Sequence, residues 1–432
     1  MDRFMLLIKS LRPCRVEHWL MLSILLYSLV GVLKYYLPAF LSNVITSVCG
    51  FGFIVLIIMN IRRSSLTGWT RALYLFLVFW TLCLTLRMFL IDDVRGTFAE
   101  YKGITTWLLA YFSSSYFLPN LMPLILLVIP TQEGFDFRYL WRVMWLMVIL
   151  YLCYYPFAFW SMTHYSWSYN IAGASWGESG TFGDFINNST KGISSIAPAV
   201  IMIFFKKYLP NRTWKWFMVA FVGSILIQAF MARRGGLATS ILCLVLMWGM
   251  YSFNDRSVSK FKMILKALAV VGVCFMLFSS LADSFFSTLV ERGMIDSRSG
   301  VEYAFYEDMD SMSDWIFGRG WFGRYYEPAF SRYRSSIETG YLALILRGGL
   351  LYLIPYVGIL GMSFYNGYFK SRNLFCKSFA IICLMQIISL YPYGWPAFNY
   401  LHFVIWLGVW TCNSRVLRLM TDRQIKKLVF SR

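Results

Sequence analysis

Charge is what this chain has least of. Only 14% of its 432 residues are Asp, Glu, Lys or Arg, against about 25% in soluble domains, which excludes a soluble globular protein. Histidine is scarcer still: His18, His164 and His402 stand far apart, and the nine cysteines include no CxxC pair. No zinc-ligand spacing exists. The cysteines fall in apolar runs or basic ends and not in the long polar loops, which excludes a disulfide framework. There is no internal repeat, no low-complexity tract and no run of short alternating segments, so repeat folds and transmembrane barrels are excluded as well.

Apolar residues make up 58% of the chain and aromatics 19%. They come in blocks near the roughly 17–25 residues that cross a bilayer as a helix. The expected fold class is all-α, a polytopic transmembrane helix bundle of about twelve spans forming one integral membrane domain over residues 1–432. The first six spans are expected at His18–Tyr36, Phe40–Ile61, Arg71–Ile91, Thr106–Pro130, Tyr139–Trp160 and Ile193–Phe205. The second six are Trp214–Met231, Gly236–Tyr251, Met263–Ala282, Gly340–Tyr365, Leu374–Tyr391 and Phe398–Cys412. The opening "MDRFMLLIKSLRPCRVEHW" has no small-residue cleavage site, and it reads as a retained cytoplasmic end.

Charge asymmetry sets the expected orientation. With the N-terminus cytoplasmic, inside segments hold 26 Lys and Arg against six acids, and outside segments hold 14 against 15. The inside therefore carries +20 and the outside −1. Both termini are expected in the cytoplasm. The formal +19 is then orientation and attraction to anionic membrane lipid, not a nucleic-acid surface.

One stretch breaks the rule. "QAFMARRGGLATSILCLVL" places Arg233 and Arg234 between the seventh and eighth spans, on the expected outer face. They could snorkel to headgroups. They could also bind an anion, since a guanidinium grips phosphate with two parallel bonds and never loses its charge. The following glycines allow close approach, and a helix N-terminus favours negative charge.

Two long loops face the same way. The first, residues 161–192, is rich in aromatics, Gly, Ser and Asn, including Asn187 and Asn188 and the early His164; such a composition suits sugars. The second, residues 283–339, has six arginines and ten acids and is expected to be partly helical. Within it "SRSGVEYAFYEDMDSMSDWIFG" reads as an amphipathic helix whose face is Val301, Phe305, Met309, Met312 and Ile316, with Ser299 as a cap. "GRGWFG" matches G-x-G-x-x-G, but no strand precedes it, so it is no dinucleotide site. Lys34 and Arg87 lie near outer span ends, where they can snorkel. Few ionisable residues fall mid-span, which disfavours an ion-coupled transporter.

Three motifs in order carry a resemblance: "GTFGDFINNSTKG", "MARRGGLATS" and "SRSGVEYAF…DWIFGRGWFG…IETGYLALILRGG", covering roughly residues 180–361. Together the chain resembles the O-antigen polymerase and ligase family of bacterial inner membranes (Wzy-type). The resemblance implies a metal-independent glycosyltransferase, with no cofactor, acting on undecaprenyl-diphosphate-linked oligosaccharide at the periplasmic face. A chain-length regulator and a flippase are its implied partners. The products implied are O-antigen of lipopolysaccharide, capsule or exopolysaccharide. Ligases of the group have a histidine near the place where Glu338 stands here, which favours a polymerase; a ligase to lipid A core and a flippase or exporter of lipid-linked sugars are the alternatives. The family's arginine before "GTF" is also missing.

That chemistry needs guanidinium groups at the developing phosphate charge and a base for the acceptor hydroxyl. Arg234 and Arg298 are the expected catalytic arginines and Glu338 the base. Arg233, Arg319, Asn187, Asn188 and His164 are the expected substrate contacts. For Glu338 a capping or ion-pair role beside Arg334 or Arg347 stays open. For Arg298 a helix pair with Glu302 does.

Overall fold

The structure is a computed structural model, and it describes residues 11, 13–33, 38–62, 66–90, 117–129, 135–164, 197–230, 234–254, 299–328, 331–335, 337–391 and 396–429. Among these residues, five helices are long and apolar enough to cross a membrane: Phe40–Met59, Gly68–Met88, Phe137–Pro156, Leu237–Asn254 and Leu350–Phe369. The fold is an all-α membrane protein with one two-stranded ribbon.

In chain order the first helices are α1 (Val16–Leu33), α2 (Ala39–Met59) and α3 (Gly68–Leu90). The expected fourth span is described only from residue 117. There a single turn, α4 (Leu118–Leu121), continues as a 3-10 helix over Met122–Leu127. Pro119 and Pro123 remove donors of the α ladder, which accounts for the tighter winding. The expected sixth span is likewise a 3-10 helix, Ala197–Phe205. The expected ninth span lies outside the described residues. Between these stand α5 (Phe137–His164), which carries helix four residues into the expected first loop, then α6 (Asn211–Phe230) and α7 (Arg234–Asn254).

The expected tenth span, Gly340–Tyr365, is two helices: α10 (Gly340–Gly348) and α11 (Leu350–Phe369). Gly349 separates them with φ +67, a conformation that a residue with a Cβ adopts at a cost. The helices α12 (Leu374–Ser389) and α13 (Tyr400–Asn413) follow, and the predicted cytoplasmic end finishes in the short α14 (Arg415–Leu419) and α15 (Asp422–Val429).

The bundle packs around α11, α12 and α13, with α3 against α11. Phe137, Phe205, Phe375 and Phe379 interlock there, Phe375 edge-on to three of the others. The outward surface is apolar too: Phe40 is 74% and Met59 77% exposed. A soluble protein would not leave that surface to water, and a membrane covers it. Among apolar neighbours, polar side chains join one another. Asn413 Nδ2 donates to Ser363 Oγ at 2.9 Å, and its Oδ1 accepts from Asn366 Nδ2 at 3.0 Å and Thr70 Oγ1 at 3.3 Å.

The described residues between 299 and 339 form a lobe with its own core of Ala304, Phe305, Met309, Tyr325 and Ile337, packed on α10. The single amphipathic helix expected here is two, α8 (Ser299–Asp308) and α9 (Met312–Phe317). Ser311 caps α9, its side chain accepting from the Ser313 N–H. Phe305 and Met309 do keep one face, and it covers the lobe's core. Met312 leaves that face because the helix breaks before it, and it is exposed. The ribbon of β1 (Tyr325–Glu327) and β2 (Arg332–Arg334) is antiparallel, pairing Tyr325 with Arg334 and Glu327 with Arg332.

Candidate functional site

The lobe is fastened to the bundle through backbone. The N–H groups of Arg319 and Gly320 donate to the carbonyls of Leu346 and Arg347 at 2.7 and 2.9 Å, so "GRG" lies along the end of α10. Side chains can be absent there for a reason: a Cβ on Gly318 would stand 2.6 Å from the Gly349 nitrogen. Two α3 residues hold the joint. Trp80 Nε1 donates to the Gly348 carbonyl at 2.7 Å, and Arg87 Nη1 donates to the Gly318 carbonyl at 2.8 Å. Arg87 therefore does not simply snorkel; its guanidinium latches the lobe. The glycines of "GRGWFG" serve this docking.

The same joint holds Arg347, in the last turn of α10 and only 3% exposed. Its charge suits a helix C-terminus, and it has a partner of its own in the structure.

The other end of α10 carries the "IETGY" motif. The Gly340 N–H donates to the Leu390 carbonyl at 2.7 Å, and the Tyr341 hydroxyl donates to Ile387 at 2.7 Å. These bonds seat the turn on the end of α12. Thr339 stands at the N-cap of α10 but makes no capping bond; its hydroxyl donates to Glu302 of α8 instead. Glu338, the expected base, precedes it and is exposed. Its charge acts on Tyr325, as do those of Arg334 and Glu327. Burial, opposed by Arg334 and reinforced by the two carboxylates, pushes the Tyr325 phenol up to about 12. Glu338, Tyr325, Glu327 and Arg334 therefore form one electrostatic group.

Arg319 has a different place from the one expected. Its guanidinium pairs with Asp308 and, at 2.7 Å, with Asp314, and it also donates to the carbonyls of Asp308 and Arg324 at 2.5 and 2.8 Å. Burial pulls its pKa down, but the bonds and charges of Asp308 and Asp314 outweigh this and hold it above the ordinary value. Two carboxylates and two carbonyls occupy the fork, so Arg319 clamps α8, α9 and the ribbon and leaves little to offer a substrate. Asp308 is half-buried in this clamp.

Arg234 is the first residue of α7, so the "RRGG" stretch does open a helix, and Gly235 and Gly236 lie in its first turn. His164 is the last residue of α5. Arg233, Arg298, Asn187 and Asn188 lie outside the described residues. Among the described residues no group of three or more His, Cys, Asp or Glu could hold a metal ion.

Sequence reasoning passed over Glu327 and weighed Arg334 only as an ion-pair partner of Glu338. The signal was there: "YYEPAFSRYR" is two short alternating runs around a turn containing proline, the pattern of a hairpin. It puts Tyr325 and Glu327 on one face with Arg334 opposite. No family model, no curated protein and no solved structure matches the chain.

Proposed function

We propose that the chain is a polymerase of lipid-linked oligosaccharide repeat units, moving a growing glycan from undecaprenyl diphosphate to a new repeat unit at the outer face of a bacterial inner membrane. In the step, the bond between the anomeric carbon and the diphosphate oxygen breaks and a glycosidic bond to an acceptor hydroxyl forms. The hydroxyl proton passes to the Glu338 carboxylate, and the carrier leaves as the diphosphate anion. Guanidinium groups stabilise the charge growing on that oxygen.

The observation that carries this reading is the docked lobe. The described part of the loop expected to face outward is a folded unit, fastened at both ends of α10, and it presents an exposed carboxylate whose charge, like that of Arg334, acts on a buried tyrosine. A loop serving only as a connection needs no such fastening. Arg234 adds to the reading from the bundle side. A cation at the first residue of a 21-residue helix opposes the helix dipole. A diphosphate at this N-terminus would offset that charge and meet the helix's N-terminal amides.

The test is Arg234→Ala and, separately, Glu338→Gln in the native host, with surface glycan separated on a gel and the protein quantified in the membrane. Loss of one diphosphate contact should cost about 3 kcal/mol, roughly a hundredfold in rate. The ladder should then collapse to single repeats, with flipped lipid-linked units intact. Full-length chains held on the carrier would mean a ligase instead, and unflipped single units would mean a flippase. A normal ladder from both variants would refute the site.

A further inference from the structure

The lobe holds two arginine–carboxylate arrangements of opposite design. The Arg319 guanidinium is engaged by Asp308, Asp314 and two carbonyls. Arg334 is about as exposed, 25% against 23%, but less committed: among the described residues its guanidinium makes one hydrogen bond, from Nη1 to Glu327 Oε1 at 3.0 Å. Glu327 is the reverse, only 3% exposed, and its second oxygen accepts no hydrogen bond among the described residues.

A charge buried with a single partner is a costly way to add stability, since desolvation offsets much of the attraction. The arrangement makes physical sense if its effect is on Arg334. The buried carboxylate holds Nη1 of the guanidinium and leaves its other N–H donors without a hydrogen bond among the described residues. A planar fork held this way is suited to phosphate oxygens. The surroundings are net basic: residues 324–338 contain three arginines and two glutamates. The charge of Glu338, the base of the proposed reaction, reaches the same Tyr325 that Arg334 reaches.

We propose that Arg334, aimed by the buried Glu327, is an anion grip that binds a phosphate-bearing ligand on the ribbon beside Glu338, with Glu327 as its positioning residue. The inference rests on the polymerase reading for its substrate, in which the phosphate is the diphosphate of the carrier lipid. A headgroup phosphate of an anionic lipid has the same chemistry, and the experiment separates the two.

The full chain is reconstituted in phosphatidylcholine nanodiscs and titrated calorimetrically with inorganic pyrophosphate. Arg334→Ala should weaken binding about tenfold or more, the effect of losing a charge-assisted bidentate contact. Arg334→Lys keeps the charge and loses the fork, and it should weaken binding several-fold. Glu327→Gln should fall between, with the thermal midpoint of each variant recorded alongside. Should Arg334→Ala fail to fold, Arg334→Lys decides. Equal pyrophosphate affinity in wild type and Arg334→Lys overturns the grip.

The titration is then repeated in nanodiscs containing phosphatidylglycerol. Unchanged wild-type affinity assigns the grip to a diphosphate. A drop to the level of Arg334→Ala means a headgroup phosphate fills it, which overturns the substrate role and leaves the grip standing. A host lacking this chain that still makes a normal glycan ladder refutes the polymerase reading, while the difference between wild type and Arg334→Ala would survive.

Discussion

Arg87 of α3 donates from Nη1 to the carbonyl of Gly318 at 2.8 Å, joining residues 231 positions apart. The bond ties a membrane helix to the lobe at the point where "GRG" lies along α10. A charge-assisted bond of this kind contributes about 1.5–3 kcal/mol. Arg87→Met keeps the length of the side chain and loses the donor. The lobe should then open more readily, and trypsin should cut within residues 319–334 at least about tenfold faster while the bundle stays intact. Unchanged cleavage would mean that Trp80 and the backbone bonds hold the joint alone.

Gly349 meets two demands at once. Its φ is +67, and a Cβ there would run into the carbonyl of Ile316 in α9. Gly349→Ala should therefore lower stability by about 3 kcal/mol or more, the sum of a strained backbone and a forced displacement. The loss should appear first in the lobe, as early protease cutting after α8 and α9. An Ala variant with the wild-type melting curve would show that the α10–α11 break is not needed.

Long apolar runs made the spans readable because a bilayer demands a fixed length of apolar helix. The ends of α2, α3 and α12 fall within a few residues of their expected places. Gly348 and Gly349 were harder, since apolar residues continue through them and composition alone does not show a change of direction. The lobe was legible in its pieces and not in their joining. Phe305 and Met309 show their face by spacing, whereas the partners of Arg87 and Arg319 are set by tertiary contact. Arg319 stood among the expected substrate contacts, but the carboxylates that claim it, Asp308 and Asp314, lie 11 and five residues before it. Glu338 could be proposed from its neighbours in sequence. Arg334 could not, because its value depends on Glu327 being buried.

Asp422 organises the predicted cytoplasmic end. Its carboxylate accepts from Lys207 Nζ at 2.5 Å, the Tyr208 hydroxyl at 2.6 Å and the Leu374 N–H at 2.9 Å. Burial raises its pKa, and these three bonds outweigh burial and hold it below the ordinary value. A carboxyl depressed on folding contributes stability that is full above its unfolded pKa of about 3.9, and that is lost as pH falls through the folded value. Lys207 is half exposed and screened by solvent, so most of the gain comes from Tyr208 and the amide. Asp422→Asn should cost about 1–3 kcal/mol at pH 7, read by thermal unfolding in detergent. The gap to wild type should shrink as pH falls below about 4. A gap that does not change with pH would mean that packing of α15 and not the carboxylate charge is responsible.

Arg319 and Arg334 separate structure from binding within one lobe. Arg319→Gln leaves Asp308 and Asp314, both about one-quarter exposed, facing each other without their cation. Two half-buried carboxylates without that counter-charge should destabilise the lobe by about 3 kcal/mol or more. Asp308→Asn together with Asp314→Asn should recover part of that loss, since the repulsion goes with the charges. Neither change should alter pyrophosphate affinity per folded molecule, because the Arg319 fork is already filled from within. Arg334→Lys should do the opposite, weakening the anion while moving the melting midpoint little, because its ammonium still pairs with the buried Glu327. If Arg319→Gln instead leaves the melting curve in place and abolishes pyrophosphate binding, the clamp is not what holds the lobe, and Arg319 returns to the substrate site.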